Sequence, residues 1–183
     1  TYTDLYYNSP TTIGNVDLKP ERALSEEIGA KYNSDKITAN MAFFYRDSKD
    51  LIDYVKEIEE DKWQAENLTR VTTKGIEAEV QYRFQLQSFQ QKLNIGYTFL
   101  DETIVDQDMP FSRYSLNSIK HQLTANLDSQ FLKYLRQNLA FRFVERPDGT
   151  SYSVVDFKLT AMYKDLELSG MFNNIFNTEY TET

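Results

Sequence analysis

GIEAEVQYRF, residues 75–84, decides how this chain is read. Ile76, Ala78, Val80, Tyr82 and Phe84 alternate with Glu77, Glu79, Gln81 and Arg83. Successive side chains of a strand point to opposite faces, so the segment is a β-strand with one apolar and one charged surface. A helix, with its 3.6-residue period, would scatter both sets around its axis.

The same parity recurs on both sides of this stretch. Upstream, a strand over residues 23–33 sets Ile28, Ala30 and Tyr32 against Glu27, Gly29 and Lys31. A second strand starts near residue 36 with the row Ile37, Ala39, Met41, Phe43 and Tyr45, breaks around residues 47–50, and continues over residues 51–58. The quoted stretch closes a third strand, residues 67–84. Downstream come the rows Leu93–Ile95–Tyr97–Phe99, Leu123–Ala125–Leu127, Leu139–Phe141–Phe143, Val155–Phe157–Leu159–Ala161–Tyr163 and Leu166–Leu168–Gly170–Phe172. Turn-forming residues fall between them at 33–35, 85–90, 147–150 and 164–165, with a short turn near 131–134. Residues 1–7, TYTDLYY, read as aromatic and β-prone, and no helix is expected anywhere. Residues 59–66, with Trp63, and residues 101–118 read as long loops. The expected fold is all-β: eight antiparallel strands joined up-and-down.

Composition narrows the class. A net charge of -8 argues against a nucleic-acid partner, which needs a basic surface. With no cysteine there is neither a disulfide framework nor a thiolate metal site. Mean hydropathy is -0.59 and no run is long and apolar enough for a transmembrane helix. Transmembrane β-barrels, however, hide their lipid face in alternation and are polar on average. The 13 Tyr and 12 Phe suit both strands and membrane interfaces. No signal peptide opens the sequence, and Thr1 suggests a piece of something longer.

Alternation alone leaves two readings open. The apolar rows face lipid, or they fill a soluble barrel or sandwich that binds a small apolar ligand. Two features bear on the choice. Short turns follow the first, third, fifth and seventh strands, while the loops after the second and fourth are long and polar and the one after the sixth is intermediate, as in outer-membrane barrels. Tyr32, Tyr82, Phe84, Phe131 and Tyr163 lie near the short turns, while Tyr45, Phe99 and Phe143 lie eight or nine residues further along. At roughly 3.3 Å per residue and a tilt near 45°, the two sets are about 20 Å apart along a barrel axis, close to the spacing of aromatic girdles.

Particular motifs sharpen this. Thr3-Asp4-Leu5-Tyr6-Tyr7, then Gly14-Asn15-Val16-Asp17-Leu18-Lys19-Pro20-Glu21, then Glu27-Ile28-Gly29 resembles a stretch of TonB-dependent outer-membrane receptors, in which a phrase like GNPDLKPE precedes a strand bearing E-x-G. Val16 stands where that family usually has Pro. Asn67 with Gly75-Ile76-Glu77-Ala78-Glu79 is similar to N…GVE-x-E, and Asn174-Ile175-Phe176-Asn177 with Tyr180 is similar to NLFD…Y, with Asn177 in place of Asp. The resemblance covers nearly the whole chain. It implies about eight strands of a larger transmembrane barrel, with residues 1–183 as its C-terminal portion and the plug domain and last strand absent. It further implies the bacterial outer membrane, lipid contact, a plug domain and the TonB system as partners. The implied function is uptake of a scarce nutrient such as an iron-siderophore or cobalamin, and no enzyme activity.

Candidate chemistry is sparse. The one histidine, His121, sits on an apolar row near a strand end and reads as a girdle residue rather than a base. No GxSxG, P-loop or GxGxxG occurs, so no catalytic residue and no cofactor are expected. Asp101, Glu102, Asp106 and Asp108 cluster in the longest expected loop, and Glu57, Glu59, Glu60 and Asp61 in another. Their spacing is not that of an EF-hand, and both read as solvated acidic loops without a metal. Asn67-Leu68-Thr69 matches a glycosylation acceptor by chance. Trp63, Arg113 and Tyr114 in the long loops, with Tyr6 and Tyr7, are the candidate substrate contacts, because amphipathic aromatics and Arg anchor recognition surfaces.

Overall fold

A computed structural model describes residues 1–105, 111–113 and 119–181, the side chain of Thr69 excepted. The chain runs α1 (Tyr2–Tyr6), β1 (Thr12–Ile13), β2 (Arg22–Asn33), β3 (Ile37–Lys56), β4 (Trp63–Leu86), β5 (Phe89–Val105), β6 (Phe111–Ser112), β7 (His121–Leu132), β8 (Leu135–Glu145), β9 (Ser151–Tyr163) and β10 (Leu166–Phe172). The eight long strands lie in the order β10-β9-β8-β7-β5-β4-β3-β2. Each neighbours the long strand before and after it in the chain, which is the up-and-down antiparallel order expected. Two short additions sit off this path: β1 runs parallel to the start of β4, and β6 antiparallel to the end of β3.

The chain divides into two compact units, residues 1–27, 44–75 and 100–118, and residues 28–43, 76–99 and 119–183. In the second unit the registers align the rows read from the sequence. Ile95 pairs with Ala125, Ala125 with Phe141, and Phe141 with Val155. Leu93, Leu127, Leu139, Phe157 and Phe172 form the next row. A slip by one residue would send each row to the other face, so this alignment holds the register. These rows do not close into a dry interior. Val80, Ile95 and Leu159 keep 41%, 42% and 40% of their surface accessible, and the buried apolar side chains described in this unit are Val144 and Val154. The soluble reading needs such rows sealed inside, and they are not.

The polar parity is satisfied within itself. Lys92 Nζ lies 3.7 Å from Asp128 Oδ2, and Asn138 donates to Asn126 Oδ1 at 2.6 Å and to Asp128 Oδ1 at 2.7 Å, linking β5, β7 and β8. The short turns at residues 34–36, 87–88, 133–134 and 164–165 all belong to this unit.

The first unit departs more from expectation. The opening segment is helical, not extended. Asn15 donates its N–H to Asp4 O at 2.8 Å, and Gly14 passes so close that a Cβ there would sit 2.8 Å from Asp4 O. β3 runs through the expected break: Asp50 takes a left-handed φ of 53°, and its carbonyl accepts from Asn67 Nδ2 at 2.7 Å. Trp63, expected in a loop, opens β4, and residues 101–105, expected in the longest loop, extend β5. A small core of Val55, Leu68 and Val71, with Leu51 and Ile104 against it, holds these extensions together. Arg70 grips Asp47 with two hydrogen bonds of 2.6 and 2.9 Å.

Two positions here carry testable strain. A Cβ on Gly75 would lie 2.1 Å from Cζ of Phe44, so the ring occupies the space that only glycine leaves. Gly75→Val should cost about 1–3 kcal/mol through overpacking, and Phe44→Leu in the same chain should recover part of it, both read as shifts in the urea midpoint. Glu102, beyond the aromatic row, has its Oε1 buried without a hydrogen-bond partner and only a long 3.5 Å contact from Thr73 to Oε2. Burial pushes its carboxyl above the usual range, and the nearby Asp53 adds to this. The folded state therefore holds this proton more tightly than the unfolded chain does. The cost is full at neutral pH and is relieved as pH falls through the raised value. Glu102→Gln should raise stability at pH 7, with the gain shrinking in melts at acid pH.

Candidate functional site

The sequence candidates that the structure describes gather in the first unit, around the end of β3. Tyr54 is the hub. Its hydroxyl donates to Asp4 Oδ1 on α1 at 3.0 Å, and its carbonyl accepts the Arg113 N–H at 3.0 Å. One residue of β3 thus ties the helix bearing Tyr6 to the segment bearing Arg113. On α1, Tyr2 and Tyr6 are four apart and meet on one side with their rings tilted, centroids 5.1 Å apart, and Tyr6 and Tyr7 stay exposed. Tyr114 lies outside the described residues, as do Asp106 and Asp108 of the expected acidic loop.

Trp63 is held by its backbone. Its N–H donates to Thr11 O at 3.0 Å, extending the short parallel pairing with β1. Lys62 Nζ reaches Ser9 O at 3.3 Å beside it. The Trp63 ring faces a cation: Lys56 Nζ lies 4.9 Å from its centroid and 5.3 Å from that of Phe111 on β6. The same ammonium donates to Glu59 O. An ammonium between two rings is held by their quadrupoles and is partly stripped of water. Sequence reasoning missed Lys56, Tyr54 and Phe111. A lysine at the polar end of a strand reads as an ordinary solvated charge, and only the pairing of β6 to β3 brings Phe111 to it.

Beneath this cluster Asp53 is fully buried, accepting from Ser112 Oγ at 2.5 Å and from the Tyr54 N–H at 2.6 Å. Asn67 brackets the neighbouring loop: its Oδ1 accepts from the Lys19 N–H at 2.7 Å, and its Nδ2 donates to Lys19 O at 3.0 Å. The Gly14–Glu21 phrase and Asn67 were linked only by resemblance in the sequence; here they are hydrogen-bond partners. Among the described residues no three His, Asp or Glu side chains converge as metal ligands.

The second unit presents a different surface. A hollow of about 1180 Å³ is bordered by Arg83, Lys92, Asp128, Arg136, Lys158 and Glu167, with Tyr82 and Phe84 also on its lining. This is a wall of mixed charge with water-accessible groups, not a closed catalytic pocket. His121 sits apart from it, its Nδ1 2.8 Å from the Tyr97 hydroxyl and its ring 5.0 Å from that of Phe99. That is an aromatic cluster at a strand end, as expected.

Known proteins agree with this architecture. The structure of the copper transporter OprC superposes with a TM-score of 0.76 at 17% identity, covering 99% of this chain and 30% of that one. The siderophore receptor PirA from Acinetobacter baumannii gives 0.68 at 17% identity, covering 91% of this chain and 29% of that one. The ferric yersiniabactin uptake receptor FyuA from Yersinia pestis gives 0.67 at 17% identity, covering 86% of this chain and 25% of that one. This chain therefore spans less than a third of the length of these structures. A comparison with curated protein sequences finds no match. The family model described as TonB dependent receptor-like, beta-barrel matches residues 1–175. Accessible apolar rows, a polar wall and a match running almost end to end thus converge, and the chain belongs to the TonB-dependent receptor β-barrel family of Gram-negative outer-membrane proteins.

Proposed function

We propose that this chain is the C-terminal portion of the barrel of a TonB-dependent receptor that takes up a scarce nutrient. A metal chelate of the iron-siderophore kind is favoured over cobalamin. The observation that carries the reading is the sorting of the second unit. Apolar rows are left accessible in register across its strands, while the opposite parity is a hydrogen-bonded, charged wall. The cargoes of the similar structures, a siderophore, ferric yersiniabactin and copper, support a metal-bearing substrate.

In this reading the polar wall of Arg83, Lys92, Arg136 and Lys158 meets water and a plug domain. The TonB system supplies the energy that displaces that plug. Substrate meets the first unit at Trp63, Arg113 and Tyr114, with Tyr6 and Tyr7. Lys56, held between Trp63 and Phe111, joins them. Its positive charge suits the negative charge that many oxygen-rich metal chelates carry, and its flanking rings suit their planar parts. No step of bond making is required of any residue here. The work is binding and passage.

The test is growth of a strain lacking the full-length receptor on a panel of metal chelates and cobalamin, each as sole source. Loss of growth on one chelate, reproduced by removal of TonB, is the expected result. Growth unchanged on every compound would overturn the assignment. In the full-length receptor, Trp63→Ala should weaken binding of that chelate roughly tenfold, the scale of a buried aromatic anchor, and Lys56→Met should weaken it less. Equilibrium binding to purified receptor checks both, and an unchanged Kd for Trp63→Ala removes Trp63 from the contact set.

A further inference from the structure

The short turns of the second unit carry a charged aromatic cluster that nutrient uptake does not use. The β7–β8 hairpin turns at Lys133-Tyr134 and the β9–β10 hairpin at Lys164-Asp165, directly after Tyr163. The two tips are neighbours: Leu135 pairs with Ala161, and the Met162 N–H donates to Tyr134 O at 2.8 Å. The Tyr134 and Tyr163 rings meet edge-on with centroids 6.5 Å apart. Lys133 Nζ lies 5.3 Å from the Tyr134 centroid and Lys164 Nζ 5.5 Å from that of Tyr163. Both rings stand out, 51% and 64% exposed, above a collar of exposed Phe131, Leu132, Leu166 and Leu168.

The first tip is built, not loose. Gln130 Nε2 donates to Leu132 O at 3.1 Å and to Lys133 O at 3.2 Å, and the register shifts between Gln130 and Leu132. Lys164 holds a left-handed φ of 52°, where Gly or Asn would fit at less cost. The remaining short turns, at residues 34–36 and 87–88, have no lysine over a ring among the described residues. One acid, Asp165, sits within the paired tips against two ammonium groups, which leaves them net positive.

We propose that these paired tips bind the phosphate of an anionic phospholipid in the leaflet at the short-turn end, a proposal that rests on the membrane reading above. Lys133 and Lys164 supply the charge and the two tyrosine hydroxyls supply donors. The apolar collar takes the upper acyl chains. A soluble phosphate would use the cations but gain nothing from exposed Leu132, Leu166 and Leu168; an amphipathic anion uses both. Each lysine near an anionic surface contributes about fivefold in affinity, so the pair should favour a net-negative headgroup over a zwitterionic one by roughly 25-fold.

The test uses the full-length receptor in mixed micelles, with native mass spectrometry counting retained phosphatidylglycerol against phosphatidylcholine. Wild-type receptor should retain the anionic lipid preferentially. The double variant Lys133→Gln/Lys164→Gln should lose most of that preference, and Lys133→Arg/Lys164→Arg should keep it, which separates lost charge from misfolding. An unchanged preference in the glutamine variant overturns the proposal. So does inorganic phosphate that binds the same lysines as tightly as the lipid, because the collar would then contribute nothing. Retention of both lipids without charge preference removes this site but leaves the membrane reading standing. Retention of neither lipid, with the receptor partitioning as a soluble protein, removes both.

Discussion

Backbone hydrogen bonding in hydrocarbon is the constraint from which this structure follows. A strand in lipid has no water to satisfy its N–H and C=O groups, so every strand must pair along its whole buried length. Pairing fixes the pleat, and the pleat gives each strand two faces that cannot be exchanged without moving the register. The in-register row Leu93, Leu127, Leu139, Phe157 and Phe172 is the outcome on one side, and Lys92, Asp128, Asn138 and Lys158 on the other. Neither row is selected by a site. Each is selected by what lies beyond its face.

The same constraint explains which strands are legible in the sequence. Where one face is apolar and the other polar, alternation is visible, and the strands around Val80, Ile95, Phe141 and Leu159 were legible with their order and orientation. Legibility ends where both faces meet polar surroundings. The outer stretches of β3, β4 and β5 remain paired, but residues 47–50 and 101–105 carry polar side chains at both parities and residues 63–66 follow directly on the charged run 59–62, so they look like loop. Trp63 was misplaced for that reason. Helix α1 was missed for another: five residues cannot show a period, and its aromatic, β-prone composition is overridden by the contacts of Asn15 and Gly14 with Asp4. The cation between Trp63 and Phe111 could not be found either, because residues 56, 63 and 111 meet only through β6, a two-residue strand with no pattern of its own.

Polar residues that break the parity rule are instructive in the same terms. Gln91 and Ser129 fall on apolar numbers and are buried, yet neither is left unsatisfied. Gln91 Oε1 accepts from Ser129 Oγ and from the Gln130 N–H, and Gln91 Nε2 donates to Gln130 O at 2.7 Å. A closed set of hydrogen bonds lets a polar pair sit where an apolar one is expected. Asn67 does the equivalent for the left-handed backbone at Asp50. Glu102 is the contrast: one of its oxygens finds no partner, and its raised pKa follows.

Parity demands classes of residue, not identities. Leu, Ile, Val, Phe or Tyr serve the lipid-facing rows almost interchangeably, and any hydrogen-bonding residue serves the wall. A fold held this way tolerates near-complete replacement of its sequence, which is why the architecture is shared at low identity with receptors of different cargo. The converse also holds. Information about cargo cannot reside in positions that only their face dictates. On the proposed function it belongs where the alternation is lost and side chains are held instead by specific contacts: Tyr54 with Asp4 and Arg113, Asn67 with Lys19, and Lys56 near two rings. The segments least readable as structure are therefore the ones with room to encode recognition, and the physical reason is the same in both cases: no uniform solvent on either side dictates what those residues must be.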